Sequence, residues 1–180
     1  QSSGSRLSHV VEQLLDMSRL ESGTLVAKQE WVSLEEVLGL LLGRLETQLF
    51  KRTIKIEGIS ELPLIRADFS LTADVIRNVL LNAHQYSKEE GLIEIIGSQS
   101  ESYIQLEIRD EGTGVSEDFQ NKLFDRFSRE QPSVPGGLGL GLSICQGFMD
   151  AMQGSIEAHN RNDGISGFSV TLHFPKEEAS

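Results

Sequence analysis

Strand-like and helix-like stretches are segregated along this sequence, and that segregation restricts the fold more than any other feature. Two pairs of alternating segments, 92–98 with 103–110 and 155–160 with 167–174, are each joined by polar or glycine-containing residues and read as hairpins. Shorter strands are expected at 25–32, 53–59 and 62–66. Helical spacing appears elsewhere. Leu34, Val37, Leu38, Leu41, Leu42, Leu45 and Leu49 share one face of a helix over 34–50, opened by Ser33 and Glu36 in capping-box spacing. Asp68 is placed to cap a helix running to residue 86, with Val75, Ile76, Val79, Leu80 and Ala83 turned inward. A short helix is expected at 117–123 and a longer one at 139–152, with a mobile Ser/Pro/Gly loop over 128–137 between them. Paired strands set apart from helices predict an α+β fold, a two-layer sandwich of one sheet and one layer of helices.

In front of this body, Leu7, Val10, Val11, Leu14, Leu15, Met17 and Leu20 recur at helical spacing over 5–21 and stop near Gly23. That apolar stripe needs a partner helix. The chain therefore divides into an N-terminal helical segment, 1–23, a main domain, 24–176, and a short tail, 177–180.

Composition excludes several classes of function. With 27 acidic against 16 basic residues the formal charge is −11, and no basic face is available to neutralise a nucleic-acid backbone. A nucleotide is not excluded, because a local cluster of amides and cations outweighs distant charge. Cys145 is the single cysteine, so no internal disulfide can form. The most apolar run, 37–42, is far shorter than the roughly 20 residues of a membrane span. The four histidines, His9, His84, His159 and His173, show no metal-ligand spacing.

Four segments carry possible chemistry, each ambiguous alone. Asn78 and Asn82 stand four apart on one helical face, as a solvated strip or as hard amide ligands for Mg²⁺. Asp110-Glu111-Gly112-Thr113-Gly114 follows a strand and offers a carboxylate beside a backbone that can turn sharply. Phe124 and Phe127 are core residues or loop anchors. Gly136-Gly137-Leu138-Gly139-Leu140-Gly141-Leu142 runs into a helix, as a hinge or as a phosphate cradle at the helix N-terminus. It is not a P-loop, since no Gly-Lys-Ser/Thr follows, and it does not follow a strand as a Rossmann turn would.

The order of these segments is specific. It resembles the N box, first glycine box, F box and second glycine box of sensor histidine kinases, over essentially the whole chain. Residues 14–23 resemble the end of the second helix of that family's dimerisation domain. With the stretch Glu30-Trp31-Val32-Ser33, they look most like the osmosensitive potassium-channel sensor kinases. The resemblance implies a Bergerat-type ATP site. Asn82 would bind Mg²⁺, Asn78 would support the same end, and Asp110 would hold the adenine amine. Gly112 and Gly114 would shape the pocket, and Tyr86 would line the base. Phe124 and Phe127 would anchor a lid that Gly137, Gly139 and Gly141 let close over the phosphates, Leu138, Leu140 and Leu142 would belong to the same ATP site, and Arg129 would meet the γ-phosphate.

The implied partners are the protein's own dimerisation and phosphoacceptor domain, a second copy, and a response regulator. The implied setting is the cytoplasmic part of an inner-membrane sensor. Three departures from the pattern stand out: Gln85 where lysine is usual, Leu138 where Ser or Thr is common, and a short lid. No His-Asp/Glu-x-Arg acceptor motif occurs, so the phosphorylated histidine is expected on a domain absent from this chain. Two other readings remain: an ATP-driven clamp like the gyrase, chaperone and mismatch-repair relatives, or a nucleotide-sensing module without catalysis. The clamp reading is disfavoured because Asn78, an amide, stands where those relatives carry a glutamate base.

Overall fold

The computed structural model describes residues 3–88, 90–130 and 138–177. Helix α1 (Ser3–Glu21) precedes strand β1 (Glu30–Val32), helix α2 (Leu34–Leu49), strand β2 (Thr53–Glu57) and strand β3 (Ile65–Ala67). Helix α3 (Phe69–Tyr86) leads into strands β4 (Leu92–Gln99) and β5 (Tyr103–Arg109). The single turn α4 (Glu117–Gln120), helix α5 (Gly141–Ala151) and strands β6 (Ser155–Asn160) and β7 (Phe168–Pro175) follow.

The two hairpins combine into one five-stranded sheet of order β2-β4-β5-β7-β6, in which only β2 and β4 run parallel. The sheet's inner face is apolar by strict alternation: Ile93, Ile95, Ile104, Leu106, Ile108, Leu172 and Phe174 are buried. They meet the buried faces of α2, α3 and α5, including Leu41, Val75, Ile76, Leu80, Phe148 and Met149. Burying each such side chain contributes about 1.5–3 kcal/mol. The opposite sheet face carries Glu94, Glu107 and Arg109, where Arg109 Nε donates to Glu107 Oε1 at 2.7 Å. The expected two-layer α+β sandwich is the observed architecture.

Several boundaries differ from the sequence reading, for local reasons. The strand expected over 25–32 is only β1, whose three residues pair antiparallel with β3. Just before it, Lys28 N donates to the Asp68 carboxylate at 2.8 Å instead of to a strand. The strand expected at 62–66 begins at Ile65, because Pro63 lacks an N–H and Leu62 N closes a turn on Ile59 O at 3.1 Å. The helix expected from residue 139 starts at Gly141, since Gly139 sits at φ +75° and Leu140 is the N-cap. The short helix expected at 117–123 is one turn, α4. Of the loop expected over 128–137, residues 131–137 lie outside the described residues.

Both expected helix caps form. Ser33 accepts from Glu36 N at 3.3 Å, and Asp68 Oδ1 accepts from Leu71 N at 3.1 Å. Asp68 does more than cap, because its Oδ2 takes the Lys28 amide and so ties the chain after α1 to the start of α3. Replacing it with alanine removes a cap and orphans a backbone N–H. Asp68→Ala is expected to destabilise the protein by about 1–3 kcal/mol. Asp68→Asn, which keeps an acceptor, should lose less than half of that. Urea unfolding midpoints at constant slope check both.

Candidate functional site

A cavity of about 1270 Å³ opens between α3, the end of β5, the N-terminus of α5 and, across its top, α1. Helix α3 forms one wall. Its apolar face is spent on the core, which leaves Asn78, Asn82 and Tyr86 along the cavity side. Asn78 is the deeper of the two amides at 7% exposure, and its side chain is hydrogen-bonded to the Cys145 thiol on α5. Burial pushes the Cys145 thiol up to about 12, so this cysteine is a packing residue with no reactive thiolate. Asn82 is less buried and faces α5: its Nδ2 and Oδ1 stand 3.7 and 4.0 Å from where a β-carbon on Gly141 would lie.

The far end of α3 is held by Arg52. Its Nε donates to His84 Nδ1 at 3.1 Å and its Nη2 to His84 O at 2.6 Å, and its Nη1 bonds Lys88 O. Partial burial and the neighbouring guanidinium depress the His84 pKa, which keeps the ring neutral and its Nδ1 an acceptor. With its carbonyls satisfied in this way, α3 ends at Tyr86, and Ser87 bridges Gly112 on the next wall.

That wall is the turn after β5. Asp110 is 5% exposed. Its Oδ1 accepts from Gly112 N at 2.7 Å and from Phe168 N at 3.3 Å. Burial raises the Asp110 pKa, and these two amides together with the Arg161 charge oppose that rise. Gly112 is required by close approach: a β-carbon there would lie 2.5 Å from Tyr86 O and 2.9 Å from Asp110 Oδ1. Gly114 lines the cavity itself, and Asn160 braces the chain beyond it, accepting from Val115 N at 2.8 Å and donating to Val115 O at 2.7 Å. Arg161, whose side chain is 2% exposed, donates to Asp110 O at 3.2 Å and to Glu94 at 3.0 Å. It thereby links the carboxylate's backbone to the polar face of the sheet.

The third wall is the start of α5. No side chain caps this helix, whose first residues Gly141 and Leu142 line the cavity. Gly139 also lines it. A β-carbon there would sit 2.6 Å from Ser128 O, so Gly139 lets the chain entering α5 run against the segment after Phe127. Arg129 completes this side.

The cavity thus gathers Asn78, Asn82, Tyr86, Asp110, Gly114, Arg129, Gly139, Gly141 and Leu142 of the expected site. Other expectations need correction. Leu138 packs against the core and Leu140 is fully buried in it, so these two support the wall without lining it. Phe124 packs on the core as expected of an anchor, whereas Phe127 is 63% exposed at φ +60°. Its unusual backbone turns the side chain outward. Gly112 acts through its backbone contact with α3, and Gly137 lies outside the described residues.

The sequence reading missed Arg52, Asn160, Arg161 and Gln13. The first three act through backbone carbonyls and amides of distant segments, for which spacing along the chain carries no signal. Gln13, on α1, is 5% exposed and projects beside Asn82, with its Nε2 3.8 Å from the same Gly141 β-carbon position.

The family described as histidine kinase-, DNA gyrase B-, and HSP90-like ATPase matches residues 67–178. Sensor protein KdpD of Escherichia coli (strain K12) is 38% identical over 165 residues, which cover 91% of this chain and 18% of that protein. The chain thus spans less than a fifth of that relative. Among solved structures, full-length ShkA in complex with AMPPNP superposes with a TM-score of 0.82 at 23% identity, over 98% of this chain and 38% of that one. Histidine kinase ThkA, solved in complex with the response regulator TrrA, gives 0.77 at 24% identity, over 96% and 48%. The chain belongs to the histidine kinase-, DNA gyrase B- and HSP90-like ATPases, in the branch of the sensor histidine kinases.

Proposed function

We propose that this chain binds ATP in the cavity between α3 and α5 and passes its γ-phosphoryl group to a histidine on a dimerisation domain outside the chain. The observation that carries the reading is the convergence on one cavity of a buried carboxylate, two helical amides and an uncapped helix N-terminus. Each end suits a different part of the nucleotide. At the base end, Asp110 Oδ1 is engaged by two backbone amides, and its second oxygen is the acceptor for the adenine amine beside Tyr86. At the phosphate end, the first amides of α5 and the helix dipole favour negative charge, with Arg129 on the same side.

Mg²⁺ fits this donor set. Asn82 presents a neutral amide oxygen, and Mg²⁺ takes few protein ligands while keeping waters and phosphate oxygens. When bound, the ion would neutralise charge on the phosphates. The chain's own residues would orient the nucleotide so that the bond from the γ-phosphorus to the β,γ-bridging oxygen breaks as the bond to the imidazole nitrogen forms. Asn78 would support this end by joining α3 to α5 through Cys145. As an amide it cannot serve as the general base of a hydrolytic clamp.

In this reading residues 1–23 are the end of the dimerisation domain's second helix, 24–176 the catalytic domain and 177–180 a tail. The outer side of α1 supports a helical partner and a second copy: Leu7, Val11, Leu14 and Leu15 recur at i, i+4, i+7 and i+8 and are 65%, 46%, 47% and 60% exposed. A response regulator as the receiver of the phosphoryl group, and a membrane-anchored parent, belong to the same reading.

Two measurements test it. In calorimetric titrations, Asp110→Asn is expected to weaken ATP binding about 10- to 100-fold, the cost of a hydrogen bond to a charged group, and to erode the preference for ATP over GTP. Asn82→Ala should instead reduce the gain in affinity that Mg²⁺ brings. Unchanged titrations for both variants would remove the site assignment. In the second measurement, the chain alone with labelled ATP is expected to incorporate almost no phosphate and to hydrolyse ATP slowly. Adding the parent's dimerisation domain should place acid-labile phosphate on that domain's histidine. Rapid hydrolysis, or labelling of this chain's own His9, contradicts the assignment.

A further inference from the structure

We infer that Gln13, on the helix preceding the ATPase fold, is a donor to the triphosphate of the bound nucleotide, so that nucleotide binding and docking of α1 stabilise each other. The inference rests on the nucleotide reading of the cavity and adds to it a ligand from a different part of the chain. Three observations support it.

The first is the state of the side chain. Gln13 is 95% buried on a helix whose outer side is apolar and exposed, and its Oε1 is buried without a hydrogen-bond partner. A glutamine on a helix surface ordinarily turns both ends of its amide to water. An amide buried with its oxygen unpartnered is held at a cost, so packing alone does not account for a glutamine at this position.

The second is where that other end stands. Gln13 Nε2 and Asn82 Nδ2 lie 3.8 and 3.7 Å from one point, the position a β-carbon on Gly141 would take. Gly141 is the first residue of α5, so two side-chain donors and an uncapped helix N-terminus converge there. Two nearby carboxylates are paired with Arg77. Glu12 Oε2 and Asp74 Oδ1 lie 3.5 and 3.7 Å from Arg77 Nη2.

The third is the docking of α1 itself. Met17 is buried in the main core, and Leu20 packs so tightly on α5 that a β-carbon at Gly147 would lie 2.7 Å from its Cδ1. Glu21 pairs with Arg126 beyond α4, and Glu12 pairs with Arg77 on α3. The C-terminal half of the helix, from Glu12 to Glu21, is therefore held across the cavity, and Gln13 lies within it. Any ligand that gains from Gln13 must favour this docked position, and docking must favour that ligand by the same factor.

Titrations of the whole 180-residue chain with ATP and with AMP, in the presence of Mg²⁺, separate this contact from the others. Gln13→Ala is expected to weaken ATP binding about fivefold and AMP binding less than twofold. Gln13→Glu keeps the shape but replaces the donor with a negative charge, and should weaken ATP binding more than alanine does while sparing AMP. Hydrogen exchange supplies a second readout: Mg-ATP should slow exchange over 10–20 in the unaltered chain and much less in Gln13→Ala. Equal losses for ATP and AMP, or no loss for ATP in either variant, overturn the role of Gln13. Absence of ATP binding by the unaltered chain overturns the nucleotide reading instead. If Gln13→Ala alters only the Mg²⁺ requirement, Gln13 is a metal contact and the donor role is refuted.

Discussion

The geometry of the site depends on how helix α3 is fixed between the sheet and α5. Its start is capped by Asp68, which also holds the chain ahead of β1 through Lys28 N. Its end is fastened by Arg52 through the carbonyls of His84 and Lys88. Between these points Val75, Ile76, Val79 and Leu80 are fully packed against the sheet, so the helix can neither rotate nor slide. A helix fixed about its axis has its other faces fixed as well. Asn78 and Asn82 must then face the cavity, and Tyr86 must end beside the turn that carries Asp110.

The same economy governs Asp110. One carboxylate oxygen is committed to two backbone amides, from the turn it begins and from the first residue of β7. The carboxylate is therefore part of the hairpin geometry. Arg161 extends the connection, since it spans Asp110 O and Glu94 from a nearly buried position. Charges on the open face of the sheet thus support the orientation of a carboxylate on its rim. This arrangement sets the Asp110 turn across the cavity from Gly139 and the uncapped start of α5.

Helix α1 has two different apolar sides, and the sequence shows them as one stripe. The inner side, with Met17 and Leu20, packs on α5 and the core. The outer side, with Leu7, Val11, Leu14 and Leu15, stays exposed. Stripe width alone distinguishes neither side. With α1 across the cavity, Gln13 comes to stand beside Asn82 and the start of α5.

Residue type and spacing alone determined the α+β class, the capped starts of α2 and α3, and the two hairpins, whereas a common site for Asn78, Asn82, Asp110, Gly139 and Gly141 was implied only by the resemblance to a family. The first three rest on local rules: periodicity of burial, acceptors at helix starts, glycine where backbone crowds. Tertiary structure decided the rest. The parallel pairing of β2 with β4 follows from how α3 crosses over the sheet, and no local pattern encodes it. The start of α5 at Gly141 followed from the left-handed turn at Gly139, and the outward turn of Phe127 from its own positive φ. Arg52, Asn160, Arg161 and Gln13 reached the site because folding brought side chains to backbone groups up to 51 residues away, or across a cavity that exists only when α1 has docked. A partner of that kind is chosen by distance in space, which residue order does not record.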